Sequence, residues 1–360
     1  MSREPLAVAV ALALGACTPP PLVEQDVSFL VPLSQARTFL PISGAQAGRS
    51  LVSRPLFDRL PPLTVSDEPD ALYAALSTVS VRLDACFKEG RKEQACRPQV
   101  RLVLQPVFDS DSGPTTRDAG LHLFFSVTEA EVKHLVRELS VLRTQQGIAV
   151  AAGLAGPHPG FEHPKWVDGA RALLTPLLRP ENLVRVTAMN VHASEEAWMF
   201  SGLDIKGDVA TDLLVPTFSA ARDGHVTSTG GRDTLAITLD PAPYAEPKLP
   251  TLLDSSVRQQ ATPSEVTSAV EGLLRLEDPA EHNPGTTDCA SCHVVATTKF
   301  FLQKEAPGLT VASPSPASEA YSNSRNMRAF GYFFQTPSIS PRVQREAVAG
   351  RSDLSLRLEH

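Results

Sequence analysis

Five cysteines, at positions 17, 86, 96, 289 and 292, constrain this chain more than any other feature. Cys17 closes an apolar leader. Cys86 and Cys96 flank a polar stretch, Phe87 to Ala95. Cys289 and Cys292 lie in the run Cys289-Ala-Ser-Cys292-His293. Each group asks for a different chemistry, and together they account for every sulfhydryl in the sequence.

The leader fixes the compartment. Leu6 to Leu14 contains only Leu, Ala and Val, and it is shorter than the roughly 20 residues a permanent membrane helix needs. It fits the apolar region of an export signal. It ends in Leu14-Gly15-Ala16-Cys17, which resembles the bacterial lipobox, and that resemblance implies a diacylglycerol on Cys17 and cleavage before it. A plain secretory signal with a coincidental cysteine is the alternative, and both export the chain. Thr18 and three prolines follow as a stiff tether. The resemblance implies anchorage to the membrane by N-terminal lipid, and the lack of Asp at position 18 points to the outer membrane. In an oxidising envelope Cys86 and Cys96 are expected to form a disulfide closing a hairpin loop, with two free thiols as the alternative. The net charge of −7 and the lack of a basic cluster exclude nucleic acid as a partner.

Hydrophobic periodicity gives the rest of the outline. Residues 18–70 read as a tether and irregular lead-in, with one strand possible at Val27–Val31. Val79, Val81 and Leu83 alternate with polar residues, as do Val100, Leu102 and Leu104, predicting two half-buried strands; His122 to Val127 predicts a third. Thr128 with Glu131 reads as a capping box opening a helix to about Arg143. A short strand is predicted at 148–152, a helix at 165–178, a strand pair at 183–191 and 197–205, and a strand at 235–239. The region 71–245 is therefore expected to be α+β, with a largely antiparallel sheet. Pro241 to Pro250 resembles a linker, and a helix is predicted from Pro263 to about Glu277. Residues 246–360 are set apart as a small, mostly helical or irregular module.

That module carries the motif with chemistry. In C-x-x-C-H, two cysteines three apart share one helical turn, so both reach the vinyl groups of a haem as thioethers, and the adjacent His lies beneath the iron. A random shuffle of this composition contains the pattern roughly once in several hundred trials. A thioredoxin-type pair lacks βαβ surroundings here, and a zinc site lacks a second cysteine pair.

Residues 255–335 resemble a small monohaem c-type cytochrome domain. The resemblance implies one covalent haem c, held by Cys289 and Cys292, with His293 as the proximal ligand. It also implies a distal ligand, for which Met327, the only Met after the motif, is the choice and His282 the rival. Arg325 or Arg328 is a candidate partner for a propionate. The function implied is one-electron transfer at the cell envelope with an unidentified redox protein. The alternatives are a peroxidase-like haem enzyme with an open sixth position, and a binding or structural lipoprotein in which the motif is a staple. Elsewhere, His158, Glu162 and His163 form a conceivable metal cluster against a Pro-rich turn as the default. Glu195 and Glu196 read as a solvated corner, and Trp166 and Trp198 as core. No catalytic residue is assigned in the N-terminal region.

Overall fold

The chain is α+β, with two helical layers on opposite faces of one antiparallel sheet. The computed structural model describes residues 20–43, 50–87, 97–191, 197–213, 224–229, 234–240, 242–243, 245–282, 286–306 and 326–359. The strands are β1 (Ser28–Leu30), β2 (Leu76–Phe87), β3 (Arg97–Phe108), β4 (Thr115–Thr116), β5 (Gly120–Ser126), β6 (Leu183–Val191), β7 (Ala197–Lys206), β8 (Val209–Asp212), β9 (Gly224–Ser228) and β10 (Ile237–Asp240). They pair antiparallel in the order β1-β2-β3-β5-β6-β7-β9-β10, with β4 on β3 and β8 on β7. Most sequential strands are spatial neighbours, as short connections favour.

Register sorts the side chains onto two faces, because directly paired residues point the same way. Val81, Leu102, Leu123, Val186 and Leu203 form one row. They are buried under two helices, α1 (Glu129–Gln145) and α2 (Pro164–Leu174). α1 begins with the predicted capping box: Glu131 N–H donates to Thr128 Oγ1 at 3.2 Å, and Thr128 N–H to Glu131 Oε2 at 2.7 Å. Leu135, Val136 and Leu139 then face the sheet at helical spacing.

The opposite face carries the rows Arg82–Arg101–Phe124–Arg185 and Ser80–Val103–His122–Thr187. Its alternation with the apolar face predicted half-buried strands, yet Arg82, Arg101 and Gln105 are all buried. The reason is the C-terminal segment, which lies across this face. It consists of α3 (Pro263–Glu277), α4 (Cys289–Glu305), the hairpin β11 (Phe330–Phe333) and β12 (Thr336–Ile339), and α5 (Pro341–Glu359). A second core joins Met189, Trp198, Phe200 and Val226 of the sheet to Leu273, Leu276, Val294, Phe301 and Met327.

Three further expectations change. Residues 148–152 form no strand; Ile148 instead packs into the core just after the α1 C-terminus, where Gly147 adopts φ +64°. The expected irregular lead-in instead forms the short helices Glu24–Val27, Leu33–Phe39 and Arg54–Phe57 and strand β1, and Val27, Phe29, Leu30, Ala36 and Phe39 are fully buried in the first core. Phe330, Tyr332, Ile339, Val343, Ala347 and Leu354, all within the stretch set apart as a separate module, also belong to that first core. Cys86 lies within β2, but its side chain and Cys96 fall outside the described residues, as do Cys17, Glu195, Glu196 and Arg325.

Candidate functional site

The cysteine motif opens α4. Asp288 is its N-cap, with Oδ1 accepting from Ser291 N–H at 2.6 Å. Cys289, Cys292 and His293 therefore stand at i, i+3 and i+4, on one face of the first turn. The turn is held from behind, because the rest of α4 is buried on nearly every side. Lys299, on the next turns, pairs with Glu277 of α3, with neither side chain exposed.

His293 has one nitrogen already committed. Its Nδ1 hydrogen-bonds the backbone carbonyl of Met327, a contact that makes Nδ1–H the donor and leaves the Nε2 lone pair free. The loop supplying that carbonyl is fixed by Thr297 Oγ1, which donates to Asn326 O at 3.1 Å, and by Asn326 Nδ2, which donates to Ser338 Oγ at 3.2 Å. Partial burial pushes the His293 imidazole below its usual range, with the Met327 carbonyl opposing that shift. The ring is thus neutral at physiological pH, the form in which histidine coordinates metals.

Across from His293 stands His122, in the middle strand of the sheet. The two ring centres are 6.3 Å apart with planes inclined by 35°. Burial, the nearby His293 and then Arg101 and Arg82 hold His122 well below the usual histidine range, so it too is neutral. Both rings line one cleft between sheet and module, together with Cys289, Met189, Phe200 and Arg328. The cleft holds about 460 Å³ of empty space, part of it open to solvent. Phe200 packs on the His293 ring at 4.9 Å between centres.

The two thiols are free. Burial, then Asp288, pushes the Cys289 thiol up to about 12, and burial raises Cys292 as well. Around them the polar face carries a dense charge network. Arg82 pairs with Glu346, Arg342 with Glu346 at 2.8 Å, and Arg101 with Asp84 at 2.7 Å. Three guanidiniums thus share two carboxylates beneath the module.

The other expected residues go elsewhere. Met327 is fully buried in the second core and does not line the cleft; its backbone, not its sulfur, touches His293. His282 is buried with Nε2 at 3.2 Å from Glu246 Oε1, and its carbonyl accepts from Arg342 at 2.6 Å. Arg328 lines the cleft, pairs with Asp118 at 2.8 Å and stacks over Phe333 at 4.4 Å. His158 stacks on Trp166 with ring centres 4.2 Å apart and accepts from Gly160 N–H at 2.9 Å, forming a packed turn. Among the described residues no group of three or more His, Cys, Asp and Glu is placed to hold a metal. Trp166 and Trp198 are both core, and Trp198 Nε1 donates to Asp118 at 2.9 Å. Sequence reasoning missed His122, read only as a strand residue. Its signal was the polar face of β2, β3 and β5, which Arg82, Arg101, Gln105 and His122 share.

Comparison with known protein families, with characterised proteins and with solved structures finds no match to this chain.

Proposed function

We propose that this chain is an envelope lipoprotein carrying one covalent c-type haem, used for one-electron transfer. The observation that carries the reading is His293: its Nδ1 is spent on a backbone carbonyl, its Nε2 is free, and it follows a cysteine pair on the same helical turn beside a cleft. A hydrogen bond on the non-coordinating nitrogen is the arrangement that fixes tautomer and ring orientation in metal-ligating histidines.

The thiols fit the same chemistry. Thioether formation adds sulfur to one vinyl carbon and the thiol hydrogen to the other, so the product is neutral and needs no oxidant. Sites that raise a thiol pKa favour neutral sulfur. A thioredoxin-type pair or a zinc site needs the thiolate, which burial here disfavours. When bound, the haem supplies an iron that changes oxidation state by one electron. The chain's own residues set its surroundings: Asp288 fixes the turn, the Met327 carbonyl orients His293, and Met189 and Phe200 exclude water. The surplus guanidinium of the Arg82–Arg101–Arg342 group suits an anionic edge such as a propionate.

Export rests on Leu6 to Cys17 and implies a lipid anchor at the outer membrane and an unidentified redox partner; no helix among the described residues is long and apolar enough to cross a membrane. The test is expression of the full chain in a host that attaches c-type haem. A haem-stained band surviving denaturing electrophoresis, lost in Cys289→Ser/Cys292→Ser, is expected. An unstained wild-type band would overturn the proposal.

A further inference from the structure

The geometry points to His122 as the second axial ligand, so that the β-sheet and the C-terminal segment grip the same iron from opposite sides. This rests on the haem reading above and specifies it. Two metal–nitrogen bonds of about 2 Å, each extended by about 1 Å to the ring centre, span about 6 Å between two imidazoles. The centres of His122 and His293 are 6.3 Å apart, with both rings on one cleft.

The sheet makes His122 a well-placed ligand. β5 is an interior strand, paired on both sides, with His122 opposite Val103 on β3 and Thr187 on β6. A side chain on such an element is held more closely than one on a loop. The rivals are elsewhere. Met327 meets His293 on its Nδ1 side, and the two ring nitrogens diverge, so a group held there does not lie beyond Nε2. Its side chain is fully buried in the second core. His282 spends Nε2 on Glu246. Among the other described residues of the cleft, Cys289 is already used by the motif, Arg328 and Gln105 are not ligands to iron, and Met189 is the one rival sulfur donor, its side chain packed into the second core.

Two consequences follow. A pair of imidazoles gives a lower reduction potential than a His–Met pair, which suits a donor rather than an acceptor of high potential. The haem also becomes a cross-link between residues far apart in sequence, so its attachment should organise the whole C-terminal segment on the sheet.

The experiment compares matured wild type, His122→Ala and Met327→Leu by haem stain, optical spectrum of both oxidation states, and electron paramagnetic resonance of the oxidised protein. Wild type is expected to be six-coordinate and low-spin, with the resonance of two imidazole ligands and without the methionine–iron charge-transfer band. Met327→Leu keeps the backbone carbonyl and should keep that spectrum. His122→Ala should still stain but turn high-spin, return to low-spin on adding imidazole, and titrate at a higher potential. A methionine band in wild type would overturn the assignment, whether it disappears in Met327→Leu or persists there with Met189 as the donor, as would a stained His122→Ala with an unchanged spectrum. If His122→Ala does not accumulate, the resonance of wild type decides alone. Wild type without stain would instead overturn the haem reading itself.

Discussion

Lys299 donates to both carboxylate oxygens of Glu277, at 3.1 and 3.3 Å, and neither side chain is exposed to solvent. The pair joins α3 to the helix that begins with Cys289. Removing one partner leaves the other buried charge without its nearest counter-ion, whereas removing both takes the two charges out together. Arg345 lies 3.8 Å from the same carboxylate, beyond hydrogen-bond distance. Lys299→Met alone is expected to destabilise by about 3–5 kcal/mol, and Lys299→Met/Glu277→Gln by clearly less. Urea unfolding of the four members of the cycle measures this. Additive losses would mean that the pair contributes nothing as a pair.

His158 makes the fold sensitive to acid. Burial, then the nearby Arg143, lowers its pKa to about 3, against roughly 6.5 in an unfolded chain. Below the unfolded value the unfolded chain takes up a proton that the folded chain refuses. Stability present above pH 6.5 is therefore lost as the pH falls towards 3, by about 1.4 kcal/mol per unit. His158→Gln should flatten the pH dependence of the urea midpoint between pH 7 and 5 relative to wild type. Equal slopes in the two proteins would refute the assignment. Gly160→Ala tests the same turn without a charge. A Cβ there would lie 2.4 Å from the Trp166 ring and 2.6 Å from His158 Nδ1, so a loss of about 1–3 kcal/mol is expected.

Several elements were legible for identifiable reasons. The helix at 129–145 announces itself through the capping box at Thr128, and the helix at 263–277 through Pro263 at its start, each followed by helical spacing. The strands around Val81, Leu102 and Leu123 show their period directly. What periodicity cannot reveal is a second layer. The alternating Arg82, Arg101 and Gln105 look like a wet face, because a local pattern records polarity and not what later covers it. The covering segment was itself obscure: the hairpin at 330–339 lacks alternation, and α5 is mostly polar, burying Val343, Ala347 and Leu354 among charged neighbours. At the site, Cys289, Cys292 and His293 could be read from spacing. His122 could not, since its partner lies on another element far along the chain.

The ion network beneath the module gives a third prediction. Burial alone would raise the Glu346 carboxyl, but Arg82 and Arg342 override it and hold the group well below the usual carboxylate range. Both guanidiniums are themselves buried. Glu346→Gln removes the carboxylate they share, leaving Arg82 with Asp84 at 3.7 Å and Arg342 with the carbonyls of Leu276 and His282, and a loss of about 3–5 kcal/mol is expected. A melting curve superimposable on wild type would show that Asp84 and solvent suffice for Arg82.

Gln105 ties the sheet to the segment that orients His293. Its Oε1 accepts from Tyr332 N–H at 2.7 Å and its Nε2 donates to Tyr332 O at 3.0 Å, all within the buried interior. Tyr332 in turn donates its hydroxyl to Val31 O at 2.8 Å. The hairpin so anchored follows directly on Met327 and pairs back through Ser338, which accepts from Asn326. Gln105→Leu removes both bonds. The Tyr332 carbonyl keeps Thr116 Oγ1 at 3.2 Å, but its N–H is left buried without that acceptor, a loss of about 1–3 kcal/mol. The same change should loosen the carbonyl that positions His293. Gln105→Leu is therefore expected to lower the unfolding midpoint and to broaden amide-exchange kinetics at 326–332, while exchange in α1 keeps its order of protection relative to the rest of the sheet. A variant with wild-type exchange at 326–332 would separate the hairpin's anchorage from the orientation of the histidine.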